Sequence, residues 1–545
     1  MAFVGNAVVG PENFKSATPS IPYPKSVAFI ISNEFCERFN YYGMRTILVL
    51  YLTNKLDYNE ETATVLFHTF TMLVYIFPLI GALIADGWLG KYKTILYLSL
   101  VYSLGALVVS FGAVPITGMP VKAVTVVGLL LIAIGTGGIK PCVSAFGGDQ
   151  FSLPAQSLQL AKFFSLFYFA INAGSLISTT FTPILRADVH CFGDQDCFSL
   201  AFGVPAILMI ISVVIFMAGK RLYKCQPPAG NMIFGVSRCI ADAFKGWQKR
   251  RHSEPMESFL DYAKPTVGAR MVRETKCLGR ILRLFLPFPV FWALFDQQGS
   301  RWTFQATRMD GMVWGYQIKP DQMQVVNPLL ILGFLPLFDY IVYPILARCG
   351  IRRPLQKLTI GLLLAALGFF LSAGSARDGY QYNLVEGVAP STVSILWQLP
   401  QIVVMTAAEV MFSVTGLEFS YSQSPPSMKS VLQACWLLSV AIGNMLVVVI
   451  AEFKFTSSQS GEFTLFASLM LVDMLIFLWL ARSYQYKDQR EDLEDDDDAV
   501  IENVMQSKPK PTTVNTTPRK AGGIEAEPGY GAYRNHAYDN DFSEA

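Results

Sequence analysis

Charge is what this sequence is short of. Only 15% of its 545 residues are Asp, Glu, Lys or Arg, against 52% hydrophobic, whereas soluble domains carry roughly 25% charged residues. Histidine is scarcer still, with four in the chain. No CxxC pair or His/Cys cluster has the spacing of a metal site, and nothing suggests a bound cofactor. The nine cysteines form no regular framework. No nucleophile, base and orienting group stand out together, which makes an enzyme the weakest class of reading. The net charge of +2 says little about partners, because the charge is segregated by position, and no nucleic-acid partner is expected. Residues 1–25 are polar, hold four prolines and lack a short apolar stretch ending in small residues, so no cleavable signal peptide is expected.

Long apolar runs are present in excess. About twelve have 18 or more residues, enough at 1.5 Å per residue to cross a hydrocarbon core about 30 Å thick. They cover 26–53, 62–85, 93–115, 122–145, 160–183, 198–219, 280–299, 322–347, 353–375, 394–422, 429–451 and 461–482. The expected fold is an all-α polytopic membrane protein of twelve transmembrane helices in two six-helix bundles, 26–220 and 280–483. Between them lies a linker, 221–279, with eleven Lys/Arg against five Asp/Glu. Its helical spacing predicts amphipathic helices along the membrane surface, touching anionic lipid. Basic residues also collect at Lys91, Lys93, Arg348, Arg352, Arg353 and Lys357, while the short loops on the other side have few, such as Lys55, Lys122, Arg186 and Arg377. The basic side is therefore cytoplasmic, and so are both termini: a segment 1–25 and a tail 484–545 whose polar, acidic, Pro-rich composition reads as disordered. Cys191 and Cys197 fall in a predicted outside loop, where a local disulfide and two free thiols are the two readings and the compartment favours the first.

Ionisable side chains inside a span cost about 2.5–3.5 kcal/mol each on insertion scales, which makes each one a functional candidate. They are Glu34, Glu37 and Arg38 in the first span, His68 in the second, Lys140 in the fourth, Asp296 in the seventh and Glu409 in the tenth, with Arg280 and Arg283 opening the seventh. At 100° per residue Glu34, Glu37, Arg38, Tyr41 and Tyr42 share an arc of about 140°, so this stripe faces protein or water. A salt-bridge knot that merely locks helices is the bland alternative. It leaves Lys140, Asp296, Glu409 and His68, from four further helices and of both signs, unexplained. Cations and carboxylates offered together suit a zwitterion. In GTGGIKP, 135–141, three glycines and a proline are expected to loosen the backbone at Lys140. INAGS, 171–175, sets Asn172 among small residues that allow close helix approach, and Pro287 and Pro289 favour a bend in the seventh span.

EFCERFNYYG at 34–43, GTGGIKPCVSAFGGDQF at 135–151 and WALFDQQGSRW at 292–302 resemble the signature blocks of the proton-coupled oligopeptide transporters, a branch of the major facilitator superfamily. GALIADGWLGKYKT at 81–94 is similar to that superfamily's loop between helices two and three, where Asp86 and Lys91 would latch helix ends. The resemblance covers roughly 25–485 and is strongest to animal plasma-membrane di- and tripeptide transporters. It implies that Arg38 and Lys140 hold a peptide carboxylate, with Asn172 beside them. Glu409 and Asn327 would take the amino terminus. Tyr42, Tyr75 and Tyr168 would line the pocket, and Trp292 and Trp436 would wall side-chain sites. His68 and Asp296 would meet and respond to protons, joined in coupling by Glu34, Glu37 and Arg280. The resemblance further implies alternating access, protons as the coupling ion, and peptides and peptide-like drugs as ligands. Mammalian relatives insert a large extracellular domain after the ninth helix; here that connection is only 375–392. Retention of Arg38, Lys140 and Glu409 together argues against a carrier of amino acids, nitrate or another small anion, since a simple anion gives Glu409 nothing to bind, and a non-transporting receptor would leave the stripe and His68 without a role.

Overall fold

The computed structural model describes residues 22–152, 155–227, 232–250, 255–380, 393–425, 428–453, 455–456 and 458–486. Expectations for residues before 22, for His252, for most of the 375–392 connection and for the tail from 487 lie outside the described residues. Among the described residues, ten helices are long and apolar enough to cross a membrane, and a bent pair makes eleven. One further long helix, α1 (Ser26–Asn54), carries the charged stripe.

Helix α1 packs with α2 (Glu60–Ile84), α3 (Lys91–Gly112), α4 (Val121–Gly148), α5 (Ser157–Ala187) and α6 (Phe198–Ala218) around one core running from Val27 to Phe216. Local chemistry sets the ends. The Asn59 side chain accepts from the Thr62 N–H, and Glu60 and Glu61 sit in the first turn of α2, where the helix dipole favours acids. A π turn, Ala85–Leu89, ends that span at Gly90, whose φ of +75° suits glycine.

The GTGGIKP motif does not loosen α4, which is continuous through Pro141. Its glycines serve contact instead. A Cβ on Gly81 of α2 would stand 2.4 Å from the Gly138 Cα, so these helices cross backbone to backbone beside Lys140. Gly81→Ala is therefore expected to lower stability by about 1–3 kcal/mol, through overpacking that backbone cannot relieve. An unchanged thermal midpoint in detergent would refute that account of the crossing.

Two motif residues tie down the expected cytoplasmic end. Lys91 Nζ meets Asp149 Oδ2 at 2.6 Å, so the latch runs to the end of α4 and not to Asp86. Gln150 of FGGDQF donates to the Phe146 and Lys224 carbonyls and accepts from the Lys224 N–H.

The linker forms α7 (Met232–Arg250) and the short α8 (Lys264–Val267), and its last residues already belong to α9 (Ala269–Phe285). Cys239, Ala243, Ala263 and Val272 make a small core of their own. Asp261 is buried at its edge between Lys264 and Lys276, 2.9 and 2.8 Å away. Burial pushes its carboxyl upward, yet the two lysines win and hold it below the usual range. The pair thus stabilises above the unfolded carboxyl pKa of about 3.9 and weakens only as pH falls through the lower folded value. The linker is expected to be insensitive to pH between about 5 and 8 on this account.

Past α9 the chain bends by 47° at Leu286–Pro287 into α10 (Phe288–Phe295), which continues to α11 (Arg301–Thr307). The seventh span is thus a bent pair longer than 280–299. Each proline removes a helix hydrogen bond, which is the physical cause of such a bend. A hairpin, β1 (Met312–Val313) and β2 (Tyr316–Gln317), leads to α12 (Val326–Leu337), α13 (Tyr343–Arg348) and α14 (Pro354–Tyr380). Then come α15 (Leu399–Glu409), α16 (Thr415–Gln423), α17 (Lys429–Phe453) and α18 (Gln459–Arg482), around a second core from Val236 to Phe477. Cys191 and Cys197 are joined as a disulfide.

Candidate functional site

The site grows out of α1. Arg38 Nε lies 2.7 Å from Glu34 Oε1, one helical turn back, and 3.0 Å from Glu37 Oε2. The second contact lacks hydrogen-bond geometry, so it is an ion pair by distance alone. Both acids are almost wholly buried, while Arg38 keeps 12% of its side chain exposed. Glu37 Oε1 accepts from the Thr136 hydroxyl of α4 at 2.5 Å. Helix α5 closes on this turn because Gly174 of INAGS has no side chain; a Cβ there would meet the Phe35 carbonyl at 2.8 Å and Arg38 Cβ at 3.2 Å.

One turn deeper along α4, Lys140 Nζ sits over two rings, 4.5 Å from Tyr41 and 4.2 Å from Tyr75. It has no carboxylate partner among the described residues, so its charge is held by aromatic faces and left open to an anion. Tyr168 and Asn172 belong to α5, where the Asn172 amide donates to the Tyr168 carbonyl at 2.8 Å.

The second bundle supplies the opposite sign. Glu409 ends α15 and is followed at once by a π turn, Val410–Val414, which offsets the helix there. Its Oε2 accepts from the Asn327 amide of α12 at 2.8 Å, and Asn327 also donates to Thr406 at 3.1 Å. Trp292 and Trp436 stand edge to face 6.0 Å apart against Phe412. Arg38, Tyr42, Tyr75, Lys140, Tyr168, Asn172, Asn327 and Glu409 are all only partly buried. Partial exposure of such groups in mid-span means contact with water and not with hydrocarbon.

His68 and Asp296 do not meet directly. Asn444 of α17 stands between them: its amide donates to Asp296 Oδ2 at 2.6 Å, and its carbonyl oxygen lies 2.7 Å from His68 Nδ1. The same amide also donates to the Val440 carbonyl, which fixes the flip. Nδ1 is therefore the protonated nitrogen, and Nε2 accepts from the Ser300 hydroxyl at 2.8 Å. The charge that faces Asp296 is Arg45 of α1, at 2.6 Å. Arg45 was missed from the pattern although it lies on the same arc, about 20° from Glu34 on the helical wheel. Asn444 and Ser300, being uncharged, gave no signal. Arg280 is exposed on α9 and forms no ion pair among the described residues.

Arg45–Asp296 and the two His68 contacts join the first bundle to the second. So do Arg186–Asp321 at 2.9 Å, Arg308–Glu60 at 2.5 Å, Lys319–Asp188 at 2.6 Å and Gln324 to the Thr46 carbonyl at 3.2 Å. All lie toward the end where α1 finishes and α2 begins. Among the described residues no ion pair or hydrogen bond joins the bundles at the other end. Among the described residues, the polar links between the bundles are thus confined to the expected outer side.

A family model described as the POT family (PTR2) matches residues 92–469. The chain belongs to the POT family. It is 68% identical to Peptide transporter family 1 of Drosophila melanogaster, over 98% of this chain and 97% of that protein. It is 36% identical to Solute carrier family 15 member 2 of Homo sapiens, over 86% and 91% of the two chains. Among solved structures it resembles the POT family transporter PepTSo, with a TM-score of 0.74 and 31% identity, over 86% of this chain and all of that one. This POT-family protein is a proton-dependent di- and tripeptide transporter of the membrane, not an enzyme.

Proposed function

We infer that the transporter works in the plasma membrane with both termini cytoplasmic, and moves peptides inward with protons by alternating access between its two bundles. The observation that carries this reading is the split of charge: Arg38 and Lys140 on the first bundle, Glu409 with Asn327 on the second. A short peptide always has a carboxylate and an ammonium, separated by two or three residues of variable side chain. Fixed charges for its ends and tyrosine walls, backed by the buried Trp292 and Trp436, accept the class without selecting a sequence. Peptide bound this way bridges the bundles, so occupancy and closure are linked.

Proton coupling falls to the chain Arg45–Asp296–Asn444–His68–Ser300. Protonating His68 makes Nε2 a donor and forces the Ser300 hydroxyl to turn away. It also puts a second cation inside the lock that already holds Arg45, which favours opening to the outside. Glu34 and Glu37 act on Arg38: a proton on either releases the guanidinium for the peptide carboxylate. One proton moved through about 100 mV supplies roughly 2.3 kcal/mol, enough for about fifty-fold accumulation of a neutral solute.

Uptake of a labelled dipeptide into proteoliposomes under an imposed pH step tests the reading. Accumulation should rise as the outer pH drops; folded protein that shows no pH-dependent accumulation would overturn it. His68→Gln is expected to flatten that pH dependence and to spare counterflow. The glutamine amide can still donate to Asn444 and accept from Ser300 but cannot titrate. Retention of the wild-type pH profile would remove His68 from the coupling chain.

A further inference from the structure

Behind the charged wall of α1 lies a second polar stripe, which shares only Glu37 with the groups that transport uses. Asn33, Glu37 and Asn40 share an arc of about 60°, roughly 140° round the helix from Arg38, Tyr42 and Arg45. All three are at most 1% exposed, and Ser99 and Tyr102 of α3 and Thr136 of α4 are completely buried. Five of their polar atoms have no hydrogen-bond partner: Asn33 Nδ2, Glu37 Oε2, Asn40 Nδ2, Ser99 Oγ and the Tyr102 hydroxyl. The Asn33 carbonyl oxygen is already taken by Ser212 of α6 at 2.7 Å. The Tyr102 hydroxyl lies beside Thr136, whose proton goes to Glu37 and whose oxygen could accept from it, but the two do not reach hydrogen-bond geometry.

Helical rise orders these atoms by depth. Counted from the inner ends of their helices at 1.5 Å per residue, Ser212 and Asn33 lie about 9–11 Å deep, Ser99 about 12 Å, Tyr102, Glu37 and Thr136 about 16–18 Å, and Asn40 about 21 Å. A buried polar atom left without a partner is destabilising. Ordered water, which typically makes about three bonds, satisfies such groups at less cost. Four of the five can donate and the fifth is a carboxylate oxygen, so bridging waters would accept from the amides and hydroxyls and donate to Glu37.

We propose that the first bundle holds a track of bound water between α1, α3 and α4, through which Glu37 exchanges its proton with the cytoplasm without using the peptide cavity. The O–H bond on Glu37 breaks, the proton hops from water to water inward, and the carboxylate left behind pairs with Arg38. The charged groups around Glu37 are Glu34 and Arg38 on its own helix and Lys140 on α4; α3 and α6 present none to it. The water site stands on geometry alone, whereas its use as a proton route rests on the coupled transport inferred above.

Radiolytic footprinting of the full protein in lipid nanodiscs tests the water, because radicals formed in bound water label the adjoining side chain. Tyr51 is the control, being as buried as Tyr102 but bonded to Thr125 at 3.1 Å. Tyr102 should be oxidised about fivefold faster than Tyr51 or more; equal rates would overturn the site. For the route, Tyr102→Phe should cut pH-driven accumulation about tenfold while peptide counterflow, which needs no net proton release, is unchanged. Ser99→Ala, a smaller change, should act in the same direction. Equal loss of both activities, or loss of neither, would overturn the route. Absence of pH-driven accumulation in the wild type would instead strike the transport reading and leave the footprint standing.

Discussion

Asp296→Asn is expected to open the outer side of the transporter. The carboxylate carries two short contacts, 2.6 Å to Arg45 and 2.6 Å to the Asn444 amide. A neutral amide cannot serve both, and Arg45 keeps a charge with little solvent to screen it. Removing one partner of a buried pair costs about 3–5 kcal/mol. That cost falls only on the state in which the bundles touch outside, so the outer-open population should rise about 100-fold or more. Spin labels at Thr117 and Gln317, exposed on the outer ends of the two bundles, would report it as a new population at longer distance by pulsed EPR. An unchanged distance distribution would mean that Arg45–Asp296 does not hold the gate. Adding Arg45→Gln should restore part of the closed population, since two neutral partners leave no stranded charge.

Glu409→Gln should reduce affinity for peptides with a free amino terminus by about 10–100-fold, the worth of a charge-assisted hydrogen bond. Affinity for N-acetylated peptides should stay as it was. The side chain keeps its shape and its Asn327 contact at 2.8 Å, so only the charge is withdrawn. Competition uptake with free and acetylated dipeptides separates the two terms. If neither affinity changes, the ammonium is bound elsewhere.

Spacing within one helix was enough to expose much of this site. Glu34, Glu37, Arg38 and Tyr42 emerge from a single stretch because helical periodicity fixes which neighbours share a face. Arg45 was equally visible to the same wheel. Contacts between helices were harder. His68 reaches Asp296 only through Asn444, 376 residues further along the chain, and an uncharged amide in an apolar run carries no charge signal. The GTGGIKP glycines show the other limit: composition permits both a loose helix and a tight crossing, and only the partner backbone of Gly81 selects the crossing.

By itself the sequence determined that the chain crosses a membrane many times, because the cost of burying charge in hydrocarbon dictates composition whatever the packing. It also determined which charges had to be sheltered. Tertiary structure alone decided which of them meet. It placed Arg45 against Asp296, Lys91 against Asp149 and Glu409 against Asn327, and confined the polar links between the two bundles, among the described residues, to one end. Those pairings depend on how helices far apart in sequence rotate and cross, and no local period encodes that.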